Sequence, residues 1–281
     1  MQSLRPDAPI GVFDSGVGGL TVLAALRARL PAEPFLYLGD TARLPYGTKS
    51  GATVVRYALQ AAEALVARGI RALVVACNTA SSVALPAIRA RFPGLPVIGV
   101  VEPGAEAACA ATQRGHVAVI ATEGTIRGGA YQREIERLRP GTRIEALPCA
   151  LFVALAEEGW TSGAVAEAVA HRYLDPVFRP TAAAAGPPPD VLVLGCTHFP
   201  LLVTPIRAAV GDAVRIVDSA ATTAAAVERE LSSRGSTVGL VVAADERRIA
   251  GSTRFLATDG AARFARVGSS FLGFPIAPGR I

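Results

Sequence analysis

Leu73-Val74-Val75-Ala76-Cys77-Asn78-Thr79-Ala80 is the stretch whose reading decides the fold. An apolar, partly β-branched run ends in a thiol, an amide and a hydroxyl, the pattern of a strand buried on both faces of a parallel sheet. Ligands of open α/β sheets bind outside the carboxyl ends of the strands, where these polar groups fall. A second copy, Leu192-Val193-Leu194-Gly195-Cys196-Thr197-His198, follows with its cysteine 119 positions after Cys77. Two thiols are presented in the same way.

Working outward, the chain reads as repeated strand-turn-helix units. Pro9-Ile10-Gly11-Val12-Phe13 runs into Asp14-Ser15-Gly16-Val17-Gly18-Gly19 and a helical pattern from Leu20. Phe35-Leu36-Tyr37-Leu38 is a second strand, followed by a long loop through Tyr46, Gly47 and Lys49; loops of that length inside a compact domain are usually functional. A helix from Ser81 to Arg91 and a strand from Leu95 to Val101 complete the first half, and Pro103 with Gly104 reads as a boundary. The pattern then restarts: His116 to Ile120 is a strand, Thr122-Glu123-Gly124-Thr125 stands where Asp14-Ser15-Gly16 stood, and a helix covers Arg127 to Leu138. Arg143 to Leu147 is a strand, Thr181 to Pro189 an exposed connector, and Val238 to Ala243 a late strand returning to the first lobe. The expected architecture is α/β, with two pseudo-symmetric lobes of mostly parallel sheets flanked by helices and an active site in the cleft between them. Residues 1–101 with 215–281 form the first lobe, and 102–214 an inserted second lobe.

Composition narrows the function. The 281 residues are 51% hydrophobic, ample for buried cores. The net charge of +5 comes from arginines scattered singly through helical segments, without a basic run or interleaved aromatics, which argues against a nucleic-acid partner. The longest uncharged stretch, Ala72 to Ile88, contains Asn78, Thr79, Ser81, Ser82 and Pro86 and reads as strand, turn and helix start, so no membrane span is expected. Met1 to Pro9 lacks an apolar leader region and the four cysteines show no CxxC spacing, so a reduced, cytoplasmic setting is expected. With three histidines and no HxxxH, a metal centre is not expected.

A lone cysteine is most often a small buried hydrophobe, the reading kept for Cys109; Cys149 has no second copy. Asp14-Ser15-Gly16 could be a helix cap and His198 a structural histidine. Two opposed thiols could form a disulfide, ligate a metal, act as one nucleophile with a spare, or carry protons on opposite faces of a substrate. The last fits the symmetry best, because inverting a stereocentre with an acidic hydrogen needs a base on one face and an acid on the other. Thiols titrate near pKa ~8.5, within reach of local tuning. Lys49 is the only lysine, and no phosphate cradle accompanies it, so pyridoxal chemistry is disfavoured and no cofactor is expected.

In Val12 to Gly19, Leu38 to Gly47, Ala76-Cys77-Asn78-Thr79-Ala80, Thr122-Glu123-Gly124-Thr125, Gly195-Cys196-Thr197-His198-Phe199-Pro200 and Val217-Asp218-Ser219, the sequence resembles the glutamate racemases of the cofactor-independent aspartate/glutamate racemase superfamily. The motifs occur in family order over nearly the whole chain. The resemblance implies that Cys77 takes the α-proton of D-glutamate and Cys196 that of L-glutamate, with Asp14 assisting the first and His198 and Glu157 the second. It also implies that Asp14, Ser15, Tyr46, Gly47, Asn78, Thr79, Thr197 and His198 hold the amino acid, with Thr122 and Thr125 as further candidates. A homodimer and a place in peptidoglycan synthesis are implied in the same way. Other acidic amino-acid racemisation, aspartate included, and a catalytically silent amino-acid-binding protein are the alternatives. One departure stands out: the family usually has prolines where this chain has Ala150 and Ala154, and Glu158 competes with Glu157 for the assisting role.

Overall fold

The computed structural model describes residues 7–179, 186–234 and 252–280. Two parallel sheets carry the chain. The first contains β1 (Ile10–Asp14), β2 (Phe35–Gly39), β3 (Ala72–Val75), β4 (Val97–Gly99), β9 (Thr253–Ala257) and β10 (Gly279–Arg280), in the order β10-β9-β2-β1-β3-β4. The second contains β5 (His116–Ala121), β6 (Arg143–Pro148), β7 (Val191–Gly195) and β8 (Arg215–Asp218), in the order β6-β5-β7-β8. The orders β2-β1-β3-β4 and β6-β5-β7-β8 are the same topology twice, which is the internal repeat seen in the sequence. All described pairings are parallel.

The burial of each strand follows its composition. β1, β2, β3, β5 and β7 are buried throughout, as expected for central strands covered on both faces. β6 is partly exposed and carries Arg143 and Glu145, the edge signature of a strand with a free side. Helices α1 (Leu20–Arg29), α2 (Gly51–Val66), α3 (Asn78–Val83), α4 (Leu85–Arg91) and α5 (Val101–Ala111) follow the first strands. The second half adds α6 (Glu123–Gly128), α7 (Ala130–Leu138), α8 (Leu151–Glu157), α9 (Ala164–Phe178) and α10 (Val203–Val210). α11 (Ser219–Ser233) and α12 (Ala261–Leu272) close the chain. One continuous core includes Ile10, Val12 and Val74 of the first sheet and Ala118, Ile120 and Leu192 of the second, so the lobes share packing behind the cleft.

Several boundaries differ from expectation for physical reasons. The helix expected from Ser81 begins at Asn78, because Cys77 itself caps it, its sulfur accepting the Ala80 N–H at 3.5 Å. The helix expected over Arg127 to Leu138 is two helices, divided at Gly129, whose φ of 65° only glycine adopts freely. Pro103 and Gly104 do not form a boundary loop; both lie inside α5. β8 pairs with β7, so the segment from Arg215 to Asp218 belongs to the second sheet and not to the first lobe. Return to the first sheet is made by β9, which the sequence reading did not find. Val238 to Ala243 lies outside the described residues, as does most of the connector at 181–189.

Candidate active site

Register brings the chemistry together. Phe13 pairs with Val75, so the ends of β1 and β3, carrying Asp14 and Cys77, are neighbours. Ala121 pairs with Gly195, which does the same for Thr122 and Cys196 at the ends of β5 and β7. The two pairs of strand ends face a single cavity of about 340 Å³ with both thiols in its wall, beside Ser15, Asn78, Thr79 and His198. Tyr46, Gly47, Thr122, Glu157 and Thr197 also line it. Asp14 and Thr125 do not; both are buried behind the wall.

Missing side chains allow the lobes to close this tightly. A Cβ on Gly18 would collide with Thr197 and His198, and one on Gly47 would stand 2.9 Å from the Thr122 Cβ. Across the same seam the hydroxyls of Thr79, Thr122 and Thr125 form a triangle with sides of 3.0 to 3.1 Å. Thr21 donates to the Thr197 carbonyl at 2.8 Å. Thr125 is therefore a support for Thr79 and Thr122 rather than a wall residue.

The thiols have different surroundings. Cys77 donates to the Ser15 hydroxyl at 3.4 Å and sits at the start of α3. Burial, reinforced by the charge of Asp14, pushes its thiol up to about 12, against the help of Ser15 and the Ala80 N–H. Burial likewise raises Asp14, which His198 and the N–H groups of Gly19, Gly16 and Ser15 partly offset. Cys196 has His198 Nδ1 at 3.8 Å, and His198 Nε2 meets Glu157 Oε1 at 3.2 Å. Burial opposes the imidazolium, but hydrogen bonds with Cys196 and Glu157 overcome it and lift His198 to about 10. Glu157 is held below the usual carboxylate range by its bond to His198, with burial acting against it. At neutral pH Cys77 is a neutral acid, whereas Cys196 stands beside a positive charge. An amino acid between them would meet a thiol holding its proton on one face and, on the other, a sulfur beside an imidazolium.

Two residues were missed by sequence reading. Arg263 of α12 reaches across from the first lobe and donates to Glu157 Oε2 at 2.8 Å, leaving Oε1 for His198. Asp40, fully buried, accepts the Tyr46 hydroxyl at 2.5 Å and Thr258 at 3.0 Å. That holds the Tyr46-Gly47 turn with the phenol turned toward Asp40. The choice between the two glutamates is geometric: Glu157 lines the cavity, while Glu158 is exposed at the end of α8. Ala150 is the N-cap of α8 and Ala154 lies within it, and both line the cavity. Cys149 is buried and raised to about 12 by burial first and then by the charge of Cys196; Cys109 lies away from the cavity. Lys49 does not line the cavity. Among the described residues no cluster of three or more His, Cys, Asp or Glu could hold a metal, and no helix is long and apolar enough to cross a membrane.

Residues 20–227 match the sequence pattern of the Asp/Glu/hydantoin racemases. The chain belongs to that family. It is 49% identical over 268 residues to a glutamate racemase of Geobacter metallireducens, covering 95% of this chain and 94% of that one. Among solved structures, the glutamate racemase of Thermus thermophilus in complex with β-chloro-D-alanine is 42% identical with a TM-score of 0.84, covering 99% and 98% of the two chains. That of Francisella tularensis in complex with D-glutamate is 33% identical with a TM-score of 0.85, covering 98% and 97%. As a member of this family the chain is an enzyme, a racemase and so an isomerase.

Proposed function

We propose that the chain interconverts L- and D-glutamate by two-base proton transfer and supplies D-glutamate for peptidoglycan synthesis in the cytoplasm. One observation carries the reading: two thiols from matching strand ends line opposite lobes of one cavity. Glutamate as substrate is supported by the relatives, which are glutamate racemases at 40 to 49% identity.

In the L-to-D direction the Cys196 thiolate takes the α-proton: the Cα–H bond breaks, S–H forms, and the electron pair is delocalised into the α-carboxylate. Cys77 then gives its proton to the opposite face, so that its S–H breaks and a new Cα–H forms. The sulfurs finish with protonation states exchanged and return through solvent. The imidazolium of His198, held by Glu157, stabilises negative charge on Cys196, and Asp14 and Ser15 serve Cys77. Asn78, Thr79, Thr122 and Thr197 supply polar contacts to the substrate, with Ser15, Gly47 and Tyr46 closing the first-lobe side. Asp14 acts from behind the wall, through Cys77. In this reading no pyridoxal phosphate takes part and the enzyme works as a homodimer.

The test is turnover of each enantiomer of glutamate and aspartate by the purified full chain without added pyridoxal phosphate, followed by circular dichroism. The expected result is racemisation of both glutamates and far slower turnover of aspartate. Faster aspartate turnover would transfer the reading to an aspartate racemase. No change in either amino acid would leave a binding protein.

A further inference from the structure

Asn78 is 3% exposed and lies in the cavity wall, yet its amide nitrogen has no hydrogen-bond partner among the described residues. A buried N–H left unpaired carries the full penalty of its lost hydration, so its persistence at a cavity wall points to a ligand. The other end of the amide is occupied. Tyr131, on α7 of the second lobe, donates its hydroxyl to Asn78 Oδ1 at 2.8 Å. Tyr131 is 1% exposed. Its ring fits because two residues near it lack side chains. A Cβ on Gly104 would stand 3.2 Å from the ring and the hydroxyl, and one on Gly195 would stand 3.1 Å from Cε2. Gly104 is the helical glycine that reads as a boundary in the sequence. Burial, then the charges of Cys196 and Asp218, raises the phenol above its ordinary range, so it stays an O–H donor.

We propose that Tyr131 is a positioning residue: by donating across the lobe boundary to Asn78 Oδ1, it fixes the amide with Nδ2 toward the cavity as a donor for a substrate carboxylate. The identity of that substrate rests on the glutamate reading above. The reverse amide orientation would leave the phenol proton unpaired and present an oxygen to a carboxylate, two penalties at once. Because the bond joins α7 to the start of α3, it also ties the amide's orientation to the closed arrangement of the lobes.

Tyr131→Phe keeps the ring and removes the donor. In the full chain it is expected to raise KM for both glutamate enantiomers roughly tenfold while kcat stays within about threefold, the signature of lost uniform binding. In an Asn78→Ala background the same change should leave KM where Asn78→Ala put it, since the amide it orients is gone. Unchanged KM in the single variant, or effects that multiply in the double, would overturn the inference. A second readout needs no turnover. The Asn78 side-chain NH2 signal in a 15N spectrum, identified by its loss in Asn78→Ala, should be sharp in the wild type and shifted or broadened by Tyr131→Phe. An unmoved signal overturns the inference even if the wild type does not racemise glutamate, an outcome that would separately end the functional reading. Should Tyr131→Phe not fold, Gly104→Ala, which presses a methyl on the ring, must displace the same signal or the inference fails.

Discussion

The two thiols occupy equivalent places in equivalent sheets, but their neighbours are not equivalent. Cys77 caps a helix, touches the neutral Ser15 hydroxyl, and is pushed up to about 12 by burial and the charge of Asp14. Cys196 precedes a 3-10 turn (Phe199–Leu202) and faces a chain of charged groups, His198, Glu157 and Arg263, the last supplied by the opposite lobe. Topology duplicated the strand ends, whereas side chains from elsewhere gave each end its acid-base character. A symmetric reaction does not need symmetric catalysts. It needs one sulfur holding a proton while the other can receive one.

The largest expected effect removes that division of labour. Cys77→Ala and Cys196→Ala should each lower reversible racemisation by about 10³-fold or more, within or above the usual range for a general acid or base. Near-normal turnover by either variant would dissolve the comparison. Next come the neighbours. His198→Asn should lower kcat on the order of a hundredfold, and Ser15→Ala only about threefold, because a positive charge beside a developing thiolate outweighs a neutral hydroxyl. Equal losses in the two variants would mean that the charged chain does not distinguish the sites. Arg263→Met should cost roughly two- to fivefold in kcat, with Arg263→Lys restoring part of it. Half exposed at 50%, this arginine should change urea stability by less than about 1 kcal/mol, screened as surface pairs are.

The comparison also has a readout in stability against pH. His198 is lifted in the folded state to about 10, so the native protein holds its proton more tightly than the unfolded chain. The stabilisation is therefore complete below the unfolded histidine value of about 6.5 and is lost as pH rises through about 10. Between pH ~6.5 and ~8.5, before ordinary thiols titrate in the unfolded chain, the urea midpoint should fall in the wild type and much less in His198→Asn. Parallel curves would place the proton elsewhere.

Much of this was legible because the decisive groups end buried strands. Cys77, Cys196, Asp14, Asn78 and Thr122 each follow a run whose burial is written in its composition, and parallel pairing places such ends at one edge. The tuning groups were not legible. Arg263 lies 106 residues from Glu157 in sequence and looks like any of the scattered helical arginines until α12 packs beside the cleft. Tyr131 reads as a core aromatic, and only its hydroxyl's partner says otherwise. Gly104 reads as punctuation because the sequence does not reveal which ring presses against it. β9 was missed because Arg254 and the half-exposed Thr253 and Phe255 give it no continuous apolar run, and its parallel partner β2 lies far back in the chain.

The central claim, that protons are handled by different sulfurs on opposite faces, is tested most directly by converting L-glutamate in heavy water and analysing both enantiomers at early times. Two monoprotic thiols predict deuterium at the α-carbon of the D-glutamate formed and almost none in the L-glutamate recovered. Product that keeps the original hydrogen, or deuterium appearing equally in both enantiomers, would contradict it.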